Sequence, residues 1–85
     1  MTFDELKQAL HSDTVEISGE DLASFSRGDA DELDDLAAYY RRTADSSVLP
    51  MWARDLGRSG LESVADNFDW AADRIRFRLH CAEAA

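Results

Sequence analysis

The sequence predicts an all-α fold: a single helical domain over residues 1–85, built as a small bundle of about five helices with a long C-terminal helix as its spine. Three observations carry this. The pattern of a hydroxyl residue followed three positions later by an acid recurs as Thr2–Glu5, Ser18–Asp21 and Ser59–Glu62, which is how helix N-termini satisfy their free amides. Apolar residues after those signals recur three and four apart, the period of an amphipathic helix. Val15 and Ile17 alternate with polar residues, but a lone strand has no partner to pair with.

The first helix is predicted near 3–11, opened by the capping box of Thr2 and Glu5, with Met1 and Leu6 at the staple positions and Phe3, Leu6 and Leu10 on one face. "HSDTVEIS" breaks it and reads as an extended linker. Ser18 caps a short second helix that buries Leu22 and Phe25 and stops at Gly28. Asp29 is then expected to cap a third helix near 30–44, with Glu32 at its third position and an apolar stripe of Leu33, Leu36, Ala37, Tyr40 and Ala44. After the loop "DSSVLP", Pro50 suits a first helical turn. "PMWARDL" is therefore predicted as a short fourth helix ending at Gly57, with Met51, Trp52 and Leu56 apolar. The last helix is expected from about 60 to about 82, opened by Ser59 and Glu62. Its stripe is Leu61, Val64, Phe68, Ala72, Ile75 and Leu79, spaced 3, 4, 4, 3 and 4.

The charge is lopsided. The chain has 18 acids against 9 basic residues, a net charge of −9. Most of the surplus falls in residues 1–45, with 12 acids and 4 bases. Such a chain is repelled by nucleic acid and by anionic membranes and is drawn to basic surfaces. "DADELDDLAAYYRR", residues 29–42, concentrates it. Two readings compete for this run. Acids early in a helix and arginines late in it complement the macrodipole, at typically 0.3–1 kcal/mol each. Alternatively, Asp31, Asp34 and Asp35 project together, about 5–6 Å apart at Cβ, as a row resembling strand phosphates. On the second reading the partner-binding face comprises Glu16, Glu20, Asp21, Asp29, Asp31, Glu32, Asp34 and Asp35, extended by Asp13. "DADEL" lacks the glycine and closing glutamate of a calcium loop, so no metal is expected there. The same region has helix-turn-helix rhythm. Its recognition helix would carry acids where DNA binding needs Arg and Lys, which argues against direct nucleic-acid contact.

The last helix is apolar on a second side as well. Trp70, Phe77 and Cys81 cluster opposite the main stripe, either sandwiched by other helices or forming a partner or self-association surface to which Trp52 and Tyr39 add. Arg74, Arg76 and Arg78 alternate, so the helix fans them around its axis.

Catalysis finds no support. His11 and His80 are isolated, and adjacent His80 and Cys81 point to different helix faces. The glycines punctuate helices, and no cofactor is implied. The single cysteine forms no internal disulfide and fits a reducing cytoplasm. The N-terminus has acids where a signal peptide needs bases, and the longest apolar run, "LAAYY", is far short of a membrane span. The leading expectation is an acidic module that blocks or sequesters a basic nucleic-acid-handling protein, in the manner of small anti-CRISPR or anti-restriction inhibitors. The alternative is a helical homodimer or adaptor, antitoxin-like, assembling through Trp70 and Phe77.

Overall fold

The computed structural model describes residues 1–11 and 17–84. Four α-helices form: α1 over Phe3–Ala9, α2 over Gly19–Ala23, α3 over Arg27–Asp45 and α4 over Gly57–Ala84. A single 3₁₀ turn, Met51–Ala53, lies between α3 and α4. The all-α bundle with a long C-terminal spine is therefore what forms, with four helices rather than five among the described residues. The linker expected over "HSDTVEIS" lies largely outside the described residues, and so do Asp13 and Glu16.

Helix α4 has 28 residues, about 42 Å at 1.5 Å per residue, which accounts for most of the 48 Å long dimension. It runs antiparallel to α3. Arg27 at the start of α3 pairs with Glu83 at the end of α4, and Arg41 near the end of α3 pairs with Asp66 near the start of α4. Helices α1 and α2 lie across one face of this hairpin. The core they close contains Leu6, Leu10, Leu22 and Phe25 against Leu33, Phe68 and Ile75, all buried. The contact surface of the hairpin is rich in small residues. Ala30, Ala37 and Ala44 recur every seven positions along α3, and Ala65 and Ala72 do so along α4, all buried. Side-chain size sets how far apart packed helices sit, so these alanines favour the short end of the usual 8–10 Å interaxial range.

Local chemistry explains where elements begin. Thr2 caps α1 as expected: its Oγ1 accepts from the Glu5 amide at 3.2 Å, and Glu5 accepts from the Thr2 amide at 2.9 Å. Ser18 caps α2 by accepting from the Asp21 amide. Helix α3 starts three residues earlier than the sequence suggests. Its cap is Ser26, and Asp29 is not the cap but the third helical residue, whose carboxylate accepts from the Ser26 amide at 3.0 Å. Gly28 therefore sits in the first helical turn instead of ending α2. The expected helix over "PMWARDL" is only a 3₁₀ turn because the chain must cross from α3 to α4 and then reverse. Ala53 is the residue it buries, against Ala44 and Leu61, while Met51 is 82 % exposed. Gly57 makes the reversal with φ of 69°, a left-handed conformation that suits glycine. Helix α4 thus begins ahead of Ser59, which lies inside it and does not cap it. The start of α4 is tied to the end of α3 by Arg58, whose Nη2 donates to the Ser46 carbonyl at 2.8 Å.

Candidate functional site

Helical phase divides the charged residues of the hairpin into two settings. On the open side, opposite α1 and α2, rows from α3 and α4 face each other along a seam. The α3 row is Arg27, Asp31, Asp34 and Arg41, and the α4 row is Asp66, Asp69, Arg76 and Glu83, each stepping by three, four or seven residues. Arg76 bridges Asp31 at 2.7 Å and Asp34 at 2.6 Å. Arg41 bridges Asp69 at 2.5 Å and Asp66 at 2.9 Å. These hydrogen bonds hold both guanidinium groups above the usual arginine range, Asp34 contributing most for Arg76 and Asp69 most for Arg41. Arginine is charged at any ordinary pH regardless, so the bridges act on geometry rather than on protonation. Each cluster holds two carboxylates and one guanidinium, and each therefore keeps one net negative charge.

Asp35 and Glu32 are not in this seam. They lie further round α3, Asp35 one turn from Asp31, and line a shallow groove with Lys7, Leu36, Tyr39 and Arg42. Asp31, Asp34 and Asp35, which spacing alone groups on one face, are thus divided between two. Asp29 is committed to the Ser26 cap, and Glu20 and Asp21 lie on α2. Glu16 falls outside the described residues. Dipole complementarity also explains less than it promised. With α3 starting at Arg27, only Asp29 remains in the first turn and Arg42 in the last. Asp31, Glu32, Asp34 and Asp35 sit further in, beyond the turn where the macrodipole acts.

Asp66 and Asp69 are the seam residues that sequence reasoning missed. Glu62, Asp66, Asp69 and Asp73 step by 4, 3 and 4, an acidic stripe as regular as the apolar one beside it. The signal was obscured because residues 46–85 are nearly neutral in sum, with arginine on the same helix cancelling the acids arithmetically.

The second face of α4 is open to solvent. Trp70 is 37 % and Phe77 58 % exposed, and Cys81 is a free, exposed thiol. Among the described residues no helix sandwiches that side. Beside α2 the face forms a cleft of about 380 Å³ in which Trp70 and Phe77 alternate with Arg74 and Arg78. Arg78 packs closely over the backbone of Gly19. The three alternating arginines do fan out: Arg76 turns to the seam, while Arg74 and Arg78, four apart, stay together on the cleft side.

An aromatic cluster occupies the α1 end. Tyr40 contacts Phe68 edge-on at 5.2 Å and Trp52 at 5.3 Å, and Trp52 stacks on Tyr39 at 5.8 Å. His11 packs edge-on to Tyr40 and Phe68, with its Nε2 3.1 Å from the Tyr40 hydroxyl. Burial pushes the His11 imidazole below its ordinary value of 6.5, and burial, with a contribution from Tyr39, raises the Tyr40 phenol. Among the described residues no three His, Cys, Asp or Glu side chains converge as a metal-holding group, and no helix is long and apolar enough to cross a membrane. Neither a family model, nor a curated protein, nor a solved structure matches the chain, so its own geometry is what bears on function.

Proposed function

We propose that the chain is an acidic binding protein that occupies the basic surface of a nucleic-acid-handling protein and so blocks or sequesters it. The observation that carries this reading is the two-to-one composition of the seam clusters. Two carboxylates held by one arginine are fixed in position and keep one net negative charge. Fixed charge on two packed helices loses little side-chain entropy on binding, which favours a rigid basic groove as partner. The rest of the surface adds to the attraction: net charge is −9, and Glu32 and Asp35 are exposed on α3 outside the seam. The repulsion that such a surface exerts on nucleic acid is the reason for proposing a protein partner. A cytoplasmic setting belongs to the same reading and fits the free Cys81.

The test is binding to a panel of basic DNA- and RNA-binding proteins over a salt series, with duplex DNA as competitor. Binding that weakens steeply with salt and is displaced by DNA supports the reading. Binding indifferent to salt, or no binding to any member of the panel at low salt, overturns it.

A further inference from the structure

We infer that α4 pairs with α4 of a second copy of this chain, in parallel about a two-fold axis, through Trp70, Arg74, Phe77 and Cys81. These four positions step by 4, 3 and 4, the spacing of a helix–helix seam. All four belong to the exposed face of α4 beside α2. Exposed aromatic rings of this size are preferred anchors of interfaces, where they fill one another's gaps.

Charge selects the occupant. A chain of net charge −9 repels its copies everywhere except where it presents unspent positive charge. Arg74 and Arg78 present it on this face. Among the described residues Arg27, Arg41 and Arg76 are committed to the seam, whereas Arg74 and Arg78 make no ion pair; Arg42, Arg54 and Arg58 make none either, but they lie away from the exposed Trp70 and Phe77 rings.

Charge also selects the orientation. Asp73 lies on one edge of the row and Arg78 on the other, five residues later. A parallel two-fold pair brings opposite edges together, so Asp73 of each copy meets the partner's Arg78, the arrangement of flanking charges in two-stranded coiled coils. An antiparallel pair brings like edges together and sets aspartate beside aspartate and arginine beside arginine. Arg74 in the central row is a polar residue at a core position, a feature that fixes register at some cost in stability. Its guanidinium lies next to the edge occupied by the partner's Asp73. The parallel arrangement also sets the two Cys81 thiols opposite each other across the axis. This inference does not rest on the basic-partner reading, because Trp70, Arg74, Phe77 and Cys81 take no part in the arginine clusters of the seam, and Asp73, one turn from Asp69, is held by neither of them.

The experiment is sedimentation equilibrium of the full chain from low to high micromolar concentration, combined with mild diamide oxidation. A concentration-dependent dimer is expected, cross-linked through Cys81 on oxidation. Asp73→Arg alone and Arg78→Glu alone should each shift the chain to monomer, and the double reversal should restore the dimer. Arg78 also touches Gly19, so Asp73→Arg, which leaves that contact intact, keeps the test informative if Arg78→Glu disturbs α2; circular dichroism checks the fold of each variant. A monomer at every concentration overturns the inference. So does a dimer that survives both single reversals or fails to cross-link at Cys81. A monomer that still binds basic proteins would overturn this inference alone and leave the proposed function standing.

Discussion

The Arg76 guanidinium lies within 2.7 Å of both Asp31 and Asp34, joining one turn of α3 to the middle of α4. This arginine has two effects of opposite sign. It holds two carboxylates that would otherwise repel each other, and it cancels one of their charges. Arg76→Ala should lower stability by about 1 kcal/mol or less, because the groups are partly exposed and screened by solvent. The same variant should tighten binding to a basic partner by removing a positive charge. Chemical denaturation and a binding isotherm on one protein sample check both signs. A variant that loses stability and also binds more weakly would show that holding Asp31 and Asp34 in place outweighs the charge Arg76 cancels.

Ser26 and Ser59 separate a true cap from an apparent one. Both are followed three residues later by an acid, but only Ser26 accepts a hydrogen bond at a helix start. Ser26→Ala should cost about 1 kcal/mol, the usual value for losing an N-cap hydroxyl. Ser59→Ala lies inside α4 and should leave the unfolding midpoint nearly unchanged. Equal losses in thermal denaturation would contradict the assigned start of α4.

Phe68 is 1 % exposed at the centre of the core and touches both His11 and Tyr40. Phe68→Ala should cost about 3–5 kcal/mol, as large-to-small changes at packed aromatic sites do. In a domain of this size that is a large share of total stability. Urea titration should show either a strongly lowered midpoint or no folded baseline at all.

His11 makes stability depend on pH. Its folded-state pKa is depressed by burial, so the unfolded chain binds more protons around and below pH 6.5. The contribution is complete above the unfolded value and is lost as pH falls through the lower folded one. Tyr40 hydrogen-bonds the ring, and Asp4 and Lys7 share the groove beside it. The thermal midpoint of the wild type should fall between pH 7 and pH 5 more steeply than that of His11→Phe, with any remaining slope due to other groups. Parallel slopes would rule His11 out as the source.

Legibility in the sequence followed the range of the forces involved. Helix starts governed by contacts three residues apart, Thr2–Glu5 and Ser18–Asp21, were readable, as was the apolar stripe of α4. The same local rule misplaced the start of α3, because Ser26 and Asp29 both satisfy it in outline and Gly28 argued for a break. It misplaced the start of α4 because Gly57, in a left-handed conformation, leads directly into the helix. The division of the acids was illegible for a different reason. Whether Asp31 and Asp34 face solvent or an arginine depends on the register of α4, which brings Arg76 to them from 42 and more positions away. The exposure of Trp70 and Phe77 likewise depends on how much of α4 the short helices α1 and α2 can cover, which is a question of length rather than of pattern.

The alanines that recur every seven residues along α3 give the molecule a point of leverage. A leucine at Ala37 would act as a wedge between two rods, adding oil-like volume yet altering no formal charge. Forced outward, the rods would draw the tips of Arg41 and Arg76 off their carboxylates, and the electrostatic profile would change through spacing alone. The outward chemistry of this small protein is thus governed from within, by methyl groups that never meet water.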